Sequence, residues 1–401
     1  MTRIDPGVHA LPVQEITTRT DSRDILANAR RDTERYGLDD YFIVDVDSHH
    51  VEGDSWSQIL PYIPNAVIRR LGLETLENWP DTSSNALMNI MPGMNRQDVG
   101  GRILHQAGLA EPVPGGDFHR DVTLVRRAME AMSIDVQVVF PQPMLQIGLH
   151  PEPEIATQLH FAYNRWLTEQ ILPGHPGIKT MLGLPFHDPH ASLQTIREFG
   201  DHPDVIGFMV TSQRHTGVHR PQYFPVYAEL EERGLPLGFH AAFSMNDTQT
   251  AQMNKFLTVH ALSFVTCNMT HLMNWVINAI PERFPNLKTI WIESGLAWLP
   301  FVMQRLDHEY LMRQSDAPLI TKLPSEYMRE MYYTSQPMEI TNMELLQATF
   351  NAIDAPHSLL YSSDWPHWDF DVPGRMMTIP FLSDQDRRNI LGETARKIFG
   401  L

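Results

Sequence analysis

Asp45-Val46-Asp47-Ser48-His49-His50-Val51-Glu52 places five groups able to bind a metal within eight residues. The run carries no Lys or Arg, which a stretch of surface charge usually would. It follows an apolar segment, Tyr41-Phe42-Ile43-Val44, with the composition of a buried strand. Carboxylate and imidazole delivered together at the end of a strand are the ingredients of a divalent-metal site. Asp47 and His49 are two apart, so on a strand both side chains share one face and can reach one ion. His50 points the other way unless the strand has already ended, and Glu52 could return to the site through a turn at Gly53.

Such a cluster needs elements to hold it. Short apolar runs recur at Phe42–Asp47, Ile134–Phe140, Ile178–Leu184, Val205–Thr211, Leu235–His240, Leu287–Glu293, Met331–Ser335 and Leu359–Asp364. Amphipathic segments such as Ile155–Leu172 and Pro225–Arg233 lie between them. Strands alternating with helices predict a parallel α/β sheet. Eight units predict a closed (β/α)8 TIM barrel, with an open doubly wound sheet as the alternative. No glycine-rich phosphate loop follows the first strand, which weakens that alternative. Residues 1–40 are polar and predict an N-terminal arm, leaving 41–401 for the barrel. Residues 53–125 do not fit a βα repeat and predict an insertion after strand 1 that caps the mouth or makes a subunit contact.

Barrel chemistry sits at the C-terminal strand ends. Those ends carry His240 on strand 5, Glu293 on strand 6, and Asp364 with His367 on strand 8. A lone strand-end Asp is often a helix cap, but four strands converging with such groups argue for a site. His271 lies in a helical segment, where it is either a buried structural histidine or a ligand or proton carrier reaching in from above. Trp56, Trp275, Trp298, Trp365 and Trp368 either line a hydrophobic pocket or pack around the rim.

The 401 residues are 42% apolar, enough for a large core, and carry a formal charge of -17. That charge disfavours nucleic acid or an anionic membrane surface as partner. No apolar run approaches the roughly 18 residues of a membrane span. No apolar signal core opens the chain, so the cytoplasm is the expected compartment. The single cysteine, Cys267, excludes an internal disulfide and a cysteine-based zinc site.

At these residues the chain resembles the amidohydrolase superfamily, in its amidohydrolase 2 branch, over roughly residues 40–401. The resemblance rests on Asp47-Ser48-His49 with Glu52, Leu235–His240, Glu282–Lys288, Glu293-Ser294-Gly295 with Trp298-Leu299-Pro300, and Ser362–Asp369. It implies a divalent ion held by Asp47, His49, His240 and Asp364, with Asp364 as general base. It also implies two departures. The family's His-x-His on strand 1 is Asp47-x-His49 here, and the catalytic histidine of the branch's decarboxylases is replaced by Glu293. Both weaken the expectation of standard amide hydrolysis and enrich the site in carboxylate, which suits Mn and Fe alongside Zn.

Three functions follow. The first is a single-metal hydrolase or decarboxylase of a small organic acid or carbonyl compound, with Asp364 as base and His271 or His367 moving a proton. The second is a dinuclear Fe or Fe/Mn oxygenase resembling the two-component hydroxylase of 2-aminoisobutyrate, its second ion held by His50, Glu52, His271 or Glu293. The third is a non-catalytic partner subunit with a structural metal. Assembly as a homo-oligomer, or with a related chain, is the expected quaternary state.

Overall fold

A computed structural model describes residues 21–78, 113, 116–213, 216–242, 244 and 247–401. Residues 79–112, 114 and 115 of the 53–125 insertion expected to cap the mouth therefore lie outside the described residues.

Eight parallel strands follow one another around a single sheet. They are β1 (Val44–His50), β2 (Val136–Pro141), β3 (Ile178–Gly183), β4 (Val205–Thr211), β5 (Leu237–His240), β6 (Thr289–Ile292), β7 (Tyr332–Thr334) and β8 (Leu359–Leu360). All eight apolar runs are strands, so the barrel is present and the open-sheet alternative is not. β8 has two residues and forms no ladder with β1. The seam closes instead through single contacts, such as Val46 N–H to the Tyr361 carbonyl at 3.0 Å. A parallel bridge pairs Ser48 with Trp365.

Helices wrap the outside. α1 (Ser22–Tyr36) belongs to the predicted arm and packs on α3 (Arg120–Met132); α2 (Ala66–Asn78) lies between them in sequence. After β2 to β7 come α4 (Pro153–Trp166), α5 (Pro189–Phe199), α6 (Phe224–Arg233), α7 (Phe256–Ile277), α8 (Trp298–Met312) and α9 (Met343–Ile353); α10 (Thr394–Phe399) closes the chain. Local chemistry sets several ends. Asp188 caps α5 by accepting from the His190 and Ala191 amides ahead of Pro189, and Gly234 ends α6 at φ 68°. Among the described residues no helix is long and apolar enough to cross a membrane.

The lumen is packed by side chains from six strands, among them Val44, Val46, Val138, Phe140, Met181, Met209, Ile292 and Leu360, with Ala395 and Ile398 plugging one end. The β1–β2 register shifts between Asp45 and Ser48. That bulge matters: Val44 and Val46 face the lumen, and the extra residue lets Asp47 and His49 face it too. Gly148 lets the segment after β2 press against the end of β4, since a Cβ there would lie 1.9 Å from the Thr211 carbonyl oxygen.

Candidate metal centre

Six residues meet at the C-terminal end of the barrel, all buried. Asp47, His49, His240 and Glu293 form one set whose ligand atoms lie within 4.8 Å of one another, and His49, Glu293, Asp364 and His367 form a second. His49 Nε2 is 3.5 Å from Asp47 Oδ1 and 3.0 Å from Asp364 Oδ1. His240 Nε2 is 3.3 Å from Asp47 Oδ1 and 3.4 Å from Glu293 Oε2.

Both imidazoles are oriented from behind. His49 Nδ1 donates to the Pro141 carbonyl at 3.3 Å, and His240 Nδ1 donates to the Ala241 carbonyl at 2.8 Å. A carbonyl only accepts, so each Nδ1 carries a proton and each Nε2 points inward, where it can give its lone pair to a bound cation. Both oxygens of Asp47, Nε2 of His240 and Oε2 of Glu293 are buried without a hydrogen-bond partner. Buried polar atoms rarely stay unpaired, and these converge. The donor set fits a divalent cation.

The backbone makes the same point. Glu293 and Asp364 are non-glycine residues in the left-handed region, at φ 51° and 61°. Such conformations cost about 1–3 kcal/mol each and persist where surroundings impose them. Asp364 N–H bonds the Asp47 carbonyl at 2.7 Å. Glu293 N–H bonds Thr334 Oγ1 at 3.0 Å. Asn268 on α7 donates to the Phe239 and Ile292 carbonyls at 3.1 and 3.0 Å, aligning the ends of β5 and β6.

Charge follows geometry. Burial pushes the Glu293 carboxyl well above its usual range, and the charges of Asp364 and Asp47 add to that. Burial also raises Asp364, but His367 and His49 outweigh it and hold this carboxyl below its usual range. Burial lowers His367, against the pull of Asp364.

Beside the cluster opens a pocket. Glu293 and His367 face it from the metal side; Leu145, Phe256, Phe264 and Trp368 give it apolar walls; Gln142, Gln146, His260 and Asp369 add polar groups. His367 Nε2 meets the Gln142 amide at 2.6 Å. Of the five tryptophans, Trp368 lines this pocket, while Trp56 and Trp275 are core residues.

Three expected residues are elsewhere. Glu52 is not in the ligand sets: its carboxylate accepts from the Gln142 and Met144 amides, both at 2.7 Å, because the chain enters a short helical turn at Glu52–Ser55. His271 on α7 gives its Nε2 proton to the Gln213 carbonyl at 2.6 Å and is in neither set. His50 faces outward as β1 continues through it. Its Nδ1 donates to Asp121 Oδ2 at 3.0 Å and its Nε2 accepts from the Tyr163 hydroxyl at 2.7 Å. Sequence reasoning missed Gln142 and Gln146, neutral amides with no distinguishing local signal.

Known proteins resemble this chain. A gamma-resorcylate decarboxylase of Rhizobium radiobacter is 21% identical over 264 residues, 63% of this chain and 79% of that protein. A 5-carboxyvanillate decarboxylase from Sphingomonas paucimobilis superposes with a TM-score of 0.63 at 16% identity, covering 90% of this chain and 99% of that one. A dihydroxybenzoic acid decarboxylase from Polaromonas, solved with manganese and 2-nitroresorcinol, gives 0.62 at 16% identity, covering 90% and 97%. The amidohydrolase sequence profile matches residues 125–401, more than half of the chain and including three of the strand ends that carry the cluster, and the chain therefore belongs to the amidohydrolase family.

Proposed function

We propose that this chain is a divalent-metal-dependent decarboxylase of a small, planar organic acid. One observation carries the reading: the apolar-walled pocket opens directly onto Glu293 and His367 beside the inward-facing donors. The decarboxylases among its relatives support it.

Asp47, His49, His240 and Asp364 would hold the ion, with Glu293 as a further carboxylate donor. A bound divalent ion supplies positive charge for the substrate's oxygens as charge builds on them. The chain's own residues do the rest. Phe256, Phe264 and Trp368 present flat apolar surfaces against which a ring can lie. His367 Nδ1 and Asp364 Oδ1, 2.6 Å apart, share a proton at the pocket edge. As the bond between the substrate carbon and its carboxylate breaks, CO2 leaves and that carbon takes up the shared proton. Water entering through the pocket returns a proton to the pair, so each turnover converts a carboxylate and one proton to CO2 and a C–H bond.

The test is CO2 release from a panel of aromatic and aliphatic acids, run anaerobically with Mn, Fe or Zn and with the metal content measured. Release from an aromatic acid without oxygen, at about one ion per chain, is expected. Two donor sets that share His49 and Glu293 make a dinuclear oxygenase the reading to test against. Two ions per chain including Fe, with oxygen consumed and no anaerobic CO2 release, would replace the first reading with that one.

A further inference from the structure

The barrel seam beside the metal centre is closed by a side chain. Val46 N–H reaches the Tyr361 carbonyl at 3.0 Å, and His49 N–H reaches the Trp365 carbonyl at 2.6 Å. Between these contacts the chain after β8 is held by Asp45. Its Oδ1 accepts from the Ser363 amide at 2.8 Å, and its Oδ2 accepts from the Ser363 hydroxyl at 2.5 Å. The same carboxylate accepts from the Asp47 amide at 3.3 Å and from Gln137 Nε2 at 3.1 Å. Ser363 Oγ in turn accepts from the Trp365 amide at 2.9 Å. Asp45 is fully buried, on the face of β1 away from the lumen.

Asp45 thus grips two backbone points, one on β1 and one on the chain after β8. One is the amide of Asp47. The other is Ser363, the residue before Asp364, whose left-handed φ of 61° aims its carboxylate at the cluster. We propose that Asp45 is a positioning residue for the metal centre, setting the spacing of the Asp47 and Asp364 carboxylates from outside the barrel. The inference rests on those two carboxylates holding the ion. Supporting partners of this kind typically change metal affinity by about 10–100-fold when removed.

The experiment measures Mn2+ affinity of the full chain by competition with a chelating dye, and the electron paramagnetic resonance spectrum of the bound Mn2+. The variants are Asp45→Asn, Ser363→Ala and the double substitution. Asn places an amide that donates where the carboxylate accepted the Ser363 hydroxyl. Ser363→Ala removes only that hydroxyl and keeps the backbone contact, so it decides the matter if Asp45→Asn does not fold. A roughly 10-fold or greater loss of affinity and an altered spectrum are expected. The double variant should lose little more than the worse single one, because both remove one contact. Unchanged affinity and spectrum in the folded variants, whatever happens to melting temperature, would make Asp45 a seam stabiliser only and overturn the proposal. A wild-type chain that binds no divalent ion overturns the site and the positioning role together. A chain that binds Mn2+ in an Asp45-dependent way but decarboxylates no acid overturns the proposed reaction alone.

Discussion

The His367 imidazole stacks on that of His49, with centroids 4.3 Å apart and planes 21° from parallel. Each stacked ring presents an edge nitrogen to Asp364 Oδ1, His367 Nδ1 at 2.6 Å and His49 Nε2 at 3.0 Å. Asp364 is therefore ionised at neutral pH although buried, and Oδ1 is the atom through which a proton and a cation compete.

Asp364→Asn removes the charge from that atom while keeping its size. Turnover should fall by about 10³-fold, the range expected for loss of a general acid–base group. The fold should survive, since the Asp364 amide still reaches the Asp47 carbonyl. CO2 release and thermal melting together check this; activity retained at the wild-type level would remove Asp364 from the mechanism.

Stripping the metal should destabilise the protein as well as silence it. Asp47 and Asp364 then face each other with no cation between them, and Glu293 must take up a proton in a buried place. An ion bound to the folded chain alone stabilises it by about 2.7 kcal/mol at a hundred times its Kd. Melting temperature should therefore climb with Mn2+ concentration, and activity should return with it. A melting temperature indifferent to Mn2+, Fe2+ and Zn2+ would count against the site.

The barrel and the core of the site were legible because each strand is a short apolar run and four of them, β1, β5, β6 and β8, lead straight into a site residue. Asp47, His49, His240, Glu293 and Asp364 come together through that rule alone, and His367 follows three residues on. What escaped depends on contacts distant in sequence. Glu52 meets amides about 90 residues away. The outward turn of Asp45 depends on a bulge that strict alternation hides: alternation alone would set Asp45 on the same face as Asp47 and His49. His271 sits on a helix that also carries the pocket residues Phe256 and Phe264. Which carbonyl or ion its ring meets is settled by the loop after β4, not by helical spacing.

Asp369 supplies a pH signature. Burial first, then the charge of Asp364, pushes its carboxyl from an ordinary 3.8 to about 8. The folded chain thus holds this proton more tightly than the unfolded chain. The stabilisation is complete below about pH 4 and is lost as pH rises toward 8. Asp369→Asn cannot ionise, so its loss of stability across that window should be shallower than the wild type's. Denaturant unfolding at several pH values measures this, and parallel curves for the two proteins would show that Asp369 ionises normally.

His50 belongs to the scaffold, and Asp121→Ala separates that role from metal binding. The pair lies behind β1, buried with Tyr163, and the three groups satisfy one another: imidazole to carboxylate at 3.0 Å, phenol to imidazole at 2.7 Å. Removing the carboxylate leaves the His50 Nδ1 proton without its acceptor in a dry place, at a cost of about 1–3 kcal/mol. The urea midpoint should fall accordingly. Metal content per folded chain should not change, because His50 points away from Asp47, His49 and His240 on the far side of the strand. A drop in bound metal with no drop in stability would return His50 to the ligand set and favour the dinuclear reading, since a second ion is what an additional histidine on β1 would serve.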